Sequence, residues 1–131
     1  MSASLDSGHA ITVRRSELAC PAHSLKMMAK AAASEADEVV FDLEDGCAPS
    51  QKVPARKTLI EAFTTLDFRG KIRAFRPNGI HTKFFYRDVI EVVETAGRNI
   101  DVVVIPKAHD ATVCSSPIGC SRRLSKTLAF L

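Results

Sequence analysis

Two kinds of hydrophobic pattern alternate along this chain and predict strands and helices in turn. Short apolar runs, typical of strands buried in a parallel sheet, occupy four segments: residues 16–20, 37–43, 71–77 and 100–107. Segments rich in helix formers, with apolar residues at helical spacing, lie between them: residues 24–36, 50–66 and 82–97. The predicted order is therefore β-α-β-α-β-α-β, with short connections.

Residues that start or stop regular structure support these boundaries. Ser24 and Ser50 precede the first and second predicted helices, where a hydroxyl can cap the free backbone amides. Gly97 follows the third predicted helix and is a candidate stop signal. The pair Asn78-Gly79 follows the third strand and predicts a turn there.

Alternating strands and helices imply parallel strands covered by helices. The pattern leaves two architectures open, a doubly wound sheet and a (β/α)₈ barrel, and about four βα units of either are present. No GxGxxG follows the first strand and no GxxxxGK[ST] occurs in the sequence, which argues against a nucleotide-binding fold. In both architectures the active site forms at the carboxyl ends of the strands.

The two ends of the chain differ from this central part. Residues 1–13 are polar and are expected to form a flexible N-terminus. Residues 108–131 show neither a helical nor an alternating pattern until close to their end, and we expect a loop with a short terminal helix. The predicted domain therefore covers residues 14–107, followed by a divergent C-terminal tail.

Composition excludes several classes of protein. The 131 residues suffice for one domain, and 46% of them are apolar, as in a packed globular core. The net charge is only +3, with no stripe of Lys and Arg, no Trp and one Tyr, so we expect no nucleic-acid partner. No apolar run approaches the ~18 residues of a membrane helix, so no membrane partner is expected.

The expected location and redox state follow from similar absences. The N-terminal residues contain no apolar segment of the kind found in secretory signals, which favours a cytoplasmic protein, with a mitochondrial location as the alternative for a eukaryotic source. The four cysteines lack CxxC or metal-finger spacing, so we interpret them as free structural thiols: Cys20, Cys47, Cys114 and Cys120.

Three carboxylates, Asp42, Glu44 and Asp45, lie within four positions at the end of the second predicted strand. Two interpretations remain open for them. In the first they form a solvated turn, in which Asp45-Gly46 are turn residues and Asp42 bonds neighbouring backbone amides. In the second they belong to a Mg²⁺ site, because carboxylates can hold the cation's water molecules in place.

Arg76 lies at the end of the next predicted strand, and its guanidinium favours the interpretation as a Mg²⁺ site. Arg76 offers a rigid fork for a substrate carboxylate or for the oxygen of a developing enolate. An ion pair between Arg76 and the same carboxylates is the alternative, and the two roles are compatible. Lys107 ends the fourth predicted strand in the same way.

Four ordered blocks resemble the HpcH/HpaI aldolase and citrate lyase β-subunit family, and within it malyl-CoA lyases and other CitE-like proteins most closely. The blocks read RRSELACP, VVFDLEDGCAPSQKVPAR, IRAFRPNGIHTKFFYRDV and IDVVVIPK, and together they cover residues 14–107. The resemblance implies a (β/α)₈ TIM barrel, of which this chain would carry the N-terminal half. It also implies a carbon–carbon lyase that acts on malyl-CoA, citramalyl-CoA or citryl thioesters and releases an acyl-CoA and a keto acid such as glyoxylate.

The resemblance also assigns roles to residues. Mg²⁺ or Mn²⁺ is the family's cofactor, and Glu44 and Asp45 match the acidic pair that orders the metal's waters. Arg76 matches the arginine that binds substrate oxygens and stabilises an enolate. Lys26 and Lys30 match positions that bind coenzyme A, although from sequence alone an exposed helix face is the simpler explanation. The family's direct metal ligands, a Glu and an Asp, lie on later strands, so no direct ligand is expected here.

Half a barrel would leave two open sheet edges, which invite pairing with another chain. We therefore expect a homo-oligomer or association through these edges. The leading hypothesis is a lyase half that is inactive alone, and the alternative is a non-catalytic module that pairs with a full-length homologue. A small flavodoxin-like protein that binds Mg²⁺ for phosphoryl chemistry is a third, weaker alternative.

Overall fold

The computed structural model describes residues 13–109 and 128–130. Its described helices and strands follow the predicted order as far as the fourth strand. They are β1 (Glu17–Pro21), α1 (Leu25–Ala32), β2 (Glu38–Asp42), α2 (Lys52–Thr65), β3 (Ile72–Arg76), α3 (Phe85–Ala96), β4 (Val102–Ile105) and β5 (Leu128–Phe130). All neighbouring strands are parallel, in the order β1-β2-β3-β4-β5, so the predicted parallel α/β architecture is confirmed.

The helices cover one face of this sheet. Strand residues of one parity, such as Phe41 and Phe75, pack with apolar residues of all three helices in the main core. Residues of the other parity, such as Val40 and Ala74, form a separate apolar cluster on the opposite face. Because successive strand residues point to opposite faces, the parity shows that all three helices lie on the same side, as they do around a barrel.

Aromatic packing joins this sheet to α2. The ring centroids of Phe41 and Phe63 are 5.3 Å apart, and Phe63 meets Phe75 edge-on at 6.3 Å. Phe68, which follows α2, lies 5.9 Å from Phe41 and completes the group. Burying a side chain of this size contributes about 1.5–3 kcal/mol, so this group anchors the strands whose ends carry the candidate chemistry.

The predicted helix caps were correct at two positions and wrong at one. The hydroxyl of Ser24 accepts a hydrogen bond from the amide of Met27 at 3.3 Å, so the first N-cap is confirmed. Gly97 caps the end of α3, as predicted. Ser50 is wrong as a cap, because it lies inside a 3₁₀ turn at Pro49–Gln51 that leads directly into α2 and whose backbone supplies the preceding turn.

α1 ends earlier than predicted, at Ala32. The hydroxyl of Ser34 donates to the carbonyl of Ala31 at 2.7 Å and accepts from the amide of Ala36 at 3.3 Å. These local bonds compete with helical hydrogen bonding, which explains why a segment with good helix formers stops there.

The expected terminal helix is wrong for residues 128–130. They form β5, which pairs with β4 in the register Val103↔Leu128, Val104↔Ala129 and Ile105↔Phe130. A three-residue strand is too short to show a period in the sequence, and the edge of β4 offers a row of backbone groups that almost any sequence can pair with. Residues 1–12 of the flexible N-terminus expected for residues 1–13 lie outside the described residues, as does the loop expected before β5.

The outer edge of β1 is the exposed side of the sheet. Leu18 is 39% exposed and Ala19 is also exposed, whereas their register partners on β2, Val39 and Val40, are buried. Within residues 13–109 and 128–130, no strand pairs with this edge. The longest helix in this part of the chain has 14 residues, and none there meets the length and hydropathy needed to span a membrane.

Candidate functional site

β2 and β3 end side by side, and their register places Asp42 opposite Arg76. The guanidinium donates twice to the carboxylate, from Nε to Oδ1 at 3.0 Å and from Nη2 to Oδ2 at 2.6 Å. Such a two-point pair fixes the plane of the guanidinium as well as its distance. Asp42 is therefore the main partner of Arg76, which confirms the ion-pair interpretation and leaves the substrate role open.

Asp42 also shapes the turn that follows β2. Its Oδ1 accepts from the amide of Glu44 and its Oδ2 from the amide of Gly46, both at 2.8 Å. A Cβ at Gly46 would come within 3.0 Å of Asp42 Oδ2 and 3.2 Å of Pro21 Cα, so only glycine fits without displacement. The predicted turn is thus confirmed, and it coexists with the ion pair to Arg76.

Opposing effects set the protonation of this pair. Burial is the largest single effect on Asp42 and would raise its pKa. The hydrogen bonds from Arg76 and from the two turn amides together outweigh it, so the pKa of Asp42 lies below its ordinary value. The hydrogen bond to Asp42 is also the main reason why the pKa of Arg76 is raised. Both groups are charged over the physiological range.

Glu44 and Asp45 lie at the same edge, close to Arg76, as the sequence predicts. Glu44 is buried, with its Oε2 3.7 Å from Arg76 Nε, whereas Asp45 is exposed. Neither Oε1 nor Oε2 of Glu44 has a hydrogen bond of regular geometry in the part of the chain that the structure describes. A buried carboxylate oxygen without a donor is rare in proteins, and it marks the point where a water molecule or a ligand would fit.

Lys107 reaches the acidic pair from the end of β4. Its Nζ lies 2.6 Å from Glu44 Oε1 and 3.7 Å from Asp45 Oδ1. The hydrogen bond to Glu44, followed by the charges of Glu44 and Asp45, raises the pKa of Lys107. The backbone of Lys107 has φ 51, in the left-handed region that residues with a side chain rarely adopt. The sequence marks Lys107 as a strand-end residue but carries no signal for this conformation.

Lys52 is a contributor that the sequence analysis missed. Its Nζ donates to the carbonyl of Leu43 at 3.1 Å, to the carbonyl of Glu44 at 2.6 Å and to Oδ1 of Asn78. It therefore ties the backbone after β2 to the loop after β3. The first turn of an amphipathic helix is a common place for an exposed lysine, so nothing in the pattern predicts this partly buried position.

A cluster of buried polar residues stabilises the loop after β3. Asn78 donates to Asp88 Oδ2 from its backbone amide at 3.0 Å and from Nδ2 at 2.6 Å. Arg56 donates from Nε to Asp88 Oδ1 at 2.7 Å, and the Asp88 side chain is completely buried. Asn78 was predicted only as a turn residue. The turn lies later than predicted, from Gly79 to Thr82, whose amide donates to the carbonyl of Gly79, and Asn78 precedes it and links the buried cluster to Lys52.

A cleft of about 320 Å³ opens at this edge of the sheet, with Glu44, Asp45 and Lys107 among its lining residues together with His81 and His109. Within residues 13–109 and 128–130, no three His, Cys, Asp or Glu side chains are grouped closely enough to enclose a metal ion.

Lys26 and Lys30 lie elsewhere, exposed on α1 and absent from the lining of this cleft. They are four positions apart, so they share one face of the helix. Their assignment to coenzyme A stays a prediction.

Cys20 and Cys47 are buried free thiols near the same turn, as expected for structural cysteines. Burial, helped by the charge of Asp42, raises the pKa of Cys20 to about 11. Cys47 donates through Sγ to the carbonyl of Asp42 at 3.3 Å, and burial raises its pKa as well. Neither thiol is activated for nucleophilic chemistry. Cys114 and Cys120 lie outside the described residues.

Comparison with known sequences points to one family. The sequence model of the HpcH/HpaI aldolase/citrate lyase family matches residues 15–123, which reaches beyond the region of resemblance into the predicted tail. The L-malyl-CoA/beta-methylmalyl-CoA lyase of Cereibacter sphaeroides is 45% identical over 93 residues, covering 71% of this chain and 29% of the lyase. The citrate lyase subunit beta of Leuconostoc mesenteroides subsp. cremoris is 32% identical over 101 residues, covering 77% of this chain and 32% of the subunit.

Solved structures give a consistent result. The citrate lyase beta subunit of Mycobacterium tuberculosis, complexed with oxaloacetate and magnesium, aligns with a TM-score of 0.68 at 32% identity, covering 92% of this chain and 49% of that chain. Protein CitE from the same organism, in complex with magnesium, acetoacetate and coenzyme A, aligns with a TM-score of 0.67 over 90% of this chain and 40% of that chain, also at 32% identity. This chain thus spans less than half the length of each of these four proteins.

Proposed function

This chain belongs to the HpcH/HpaI aldolase/citrate lyase family, and we propose that it forms part of a carbon–carbon lyase that acts on acyl-CoA thioesters with Mg²⁺ or Mn²⁺. The substrate would be of the malyl-CoA, citramalyl-CoA or citryl type, and the products an acyl-CoA and a keto acid such as glyoxylate. The names of the relatives support this substrate class, and the structures with bound magnesium and coenzyme A support the cofactor.

The observation that carries the proposal is the meeting of four charged groups at one edge of the sheet. Asp42 holds Arg76 at two points, and Glu44 and Asp45 lie beside them at the mouth of the cleft. A solvated turn alone would need neither the fixed guanidinium nor the buried carboxylate oxygen without a donor. Both are features of a site built to receive a polar ligand.

The acidic pair fits a hydrated divalent cation. Mg²⁺ keeps several waters when it binds to proteins, and carboxylate oxygens accept hydrogen bonds from those waters. Glu44 Oε2 is buried without a donor and the Asp45 carboxylate is exposed, so both can accept them. When bound, the cation would polarise the keto oxygen of the substrate.

Arg76 would bind substrate oxygens directly. Its plane is fixed by Asp42, yet 25% of its side chain remains exposed, beside Glu44, which lines the cleft. A donor that is already oriented stabilises charge on an enolate oxygen without reorganising during the reaction. Lys26 and Lys30, exposed on one face of α1, would bind the phosphates of coenzyme A as point charges.

A segment exchange tests this proposal. Residues 14–107 of this chain would replace the matching segment of the Cereibacter sphaeroides lyase, and malyl-CoA cleavage would be measured with Mg²⁺. We expect the chimera to cleave malyl-CoA. We expect Arg76→Ala in the chimera to lower kcat about 100-fold or more, because removing an oriented oxyanion donor has an effect of that size. Arg98→Ala, on an exposed residue outside the cleft lining, is the control. A folded chimera without turnover would contradict the proposal.

For the 131-residue chain by itself we propose weak Mg²⁺ binding and no cleavage. Arg76 and Lys107 already neutralise much of the acidic cluster, which supports weak binding. Direct assay of malyl-CoA and citramalyl-CoA cleavage tests this. Turnover that Arg76→Ala abolishes would show that the chain is active alone.

A second candidate function is a non-catalytic module that pairs with a full-length homologue, or with another copy of this chain. The exposed edge of β1 favours it, because Leu18 and Ala19 are exposed where Val39 and Val40 on β2 are buried. Co-expression with a full-length lyase, followed by affinity purification and sedimentation analysis, tests both forms. A monomer that binds no lyase at any accessible concentration would contradict this function.

A further inference from the structure

We propose that Lys107 is an internal counter-ion of the acidic pair, so that a divalent cation that binds at Glu44 and Asp45 must compete with the charge of its ammonium group. The inference rests on the proposed function, since it concerns the cleft assigned there to the cation. It adds a residue with a defined role and a measurable consequence, namely that the wild-type chain limits its own affinity for the cation.

The contacts of Lys107 place its charge between the two carboxylates. One ammonium group lies within 4 Å of both residues, at 2.6 Å from Glu44 Oε1 and 3.7 Å from Asp45 Oδ1. A cation held through these carboxylates would compete for the same oxygens. The Lys107 side chain is 65% exposed while that of Glu44 is 9% exposed, so the lysine is the member that can leave without opening the core.

The backbone of Lys107 is held in an unfavourable conformation. Its φ of 51 lies in the left-handed region, where residues with a Cβ are uncommon outside specific turns. Such conformations persist where surrounding structure enforces them, and they are frequent at ligand sites. Pro106, which is buried directly before Lys107, is part of the same turn at the end of β4.

The burial and hydrogen bonding of Glu44 independently support a ligand site in this cleft. Its side chain is more than nine-tenths buried, and Oε2 has no donor within the described part of the chain. The charged groups around it are Arg76 at 3.7 Å from Oε2 and Lys107 at 2.6 Å from Oε1. Lys107 approaches Oε1 without regular hydrogen-bond geometry, so neither oxygen of Glu44 is fully satisfied within the described residues.

The size of the effect follows from Coulomb's law. A unit positive charge about 6 Å from a divalent cation, in a dielectric close to that of water, weakens cation binding about tenfold. Removing the charge of Lys107 should therefore tighten binding by about that factor. Replacing it with another permanent positive charge should change little.

Mn²⁺ binding to the full 131-residue chain tests the proposal, with free Mn²⁺ followed by its electron paramagnetic resonance signal. Lys107→Met removes the charge and keeps a side chain of similar length at the left-handed position, and we expect a dissociation constant about tenfold lower than that of the wild type. Lys107→Arg keeps the charge and should match the wild type. Lys57→Met, on an exposed residue of α2, is the control for a general change in net charge.

Each outcome either supports or overturns the counter-ion role of Lys107. Tighter Mn²⁺ binding by Lys107→Met supports the proposal if adding Glu44→Gln to the same variant abolishes the gain. If a folded Lys107→Met variant binds Mn²⁺ no more tightly than the wild type, the counter-ion role is overturned. The proposed lyase function is unaffected by that result as long as the wild type binds Mn²⁺. No binding by any variant at millimolar Mn²⁺ overturns both the counter-ion role and the acidic pair as a cation site. Lys107→Asn, which tolerates positive φ, replaces Lys107→Met in each comparison if circular dichroism shows that the latter is unfolded.

Discussion

Two arginine–aspartate pairs lie close together in this protein and differ in what surrounds them. Arg56 and Asp88 have side chains that are 4% and 0% exposed, and both oxygens of Asp88 accept hydrogen bonds. Arg76 and Asp42 lie at the carboxyl edge of the sheet, where the arginine side chain is 25% exposed. The first pair is closed to ligands, whereas the second lies next to Glu44, which lines a cleft.

This difference in exposure distinguishes a structural ion pair from a functional one. A buried ion pair whose hydrogen bonds are all made has no capacity left for a substrate, so its role is to hold α2, α3 and the loop after β3 together. At the edge, Glu44 retains an oxygen without a donor and Arg76 retains exposed surface. Lys52 connects the two regions, since it bonds Asn78 of the buried cluster and the carbonyl of Glu44.

The largest predicted effect is in the buried pair. Asp88→Asn keeps the shape of the side chain but leaves the buried guanidinium of Arg56 without its counter-charge, and we expect a loss of about 3–5 kcal/mol in the free energy of unfolding. Urea denaturation followed by circular dichroism measures it. Glu91→Gln is the matched control, because Glu91 also contacts Arg56, at 3.5 Å, but its side chain is 42% exposed. A loss below 1 kcal/mol for Asp88→Asn would show that the pair is not structural.

A smaller loss is expected at the edge. Asp42→Asn removes the charge that pairs with Arg76 and leaves one acceptor oxygen where the two turn amides use two, and we expect a loss of about 2–3 kcal/mol, typical of hydrogen bonds to charged groups. The same urea series measures it. If Asp42→Asn costs as much as Asp88→Asn, then the edge pair is as structural as the buried one.

The stability difference between wild type and Asp42→Asn should depend on pH. Because the pKa of Asp42 is lowered in the folded protein, its carboxylate contributes stability that is fully present above the pKa of about 4 in the unfolded chain. That contribution is lost as the pH falls through the lower pKa of the folded state. The difference in unfolding free energy should therefore be constant near neutral pH and shrink under acid conditions. A difference that grows on acidification would refute this account.

The smallest effect on stability is expected at Lys107. Its ion pair with Glu44 is exposed on the lysine side, and exposed ion pairs contribute little to folding. Lys107→Met should therefore unfold at the same temperature as the wild type in a thermal melt, although its cation affinity changes. A clear drop in melting temperature would assign Lys107 to the structural group with Asp88.

Prediction from sequence worked where the signal is local. Apolar periodicity identified four strands and three helices, and Ser24 and Gly97 were recognised as caps from residue type alone. It failed for Ser50, because a 3₁₀ turn carries no distinct pattern. It also failed for residues 128–130, because pairing with β4 depends on an available strand edge and not on the residues themselves.

The order of the elements and the chemistry at their ends were determined by the sequence alone. Glu44, Asp45 and Arg76 were identified as neighbours because the carboxyl ends of parallel strands meet at one edge, whatever the details of packing. Only the tertiary structure decided which charges pair. Arg76 meets Asp42, Lys107 meets Glu44, and Lys52 joins two loops, because each contact depends on strand register, on a left-handed backbone or on helix placement between residues far apart in the chain.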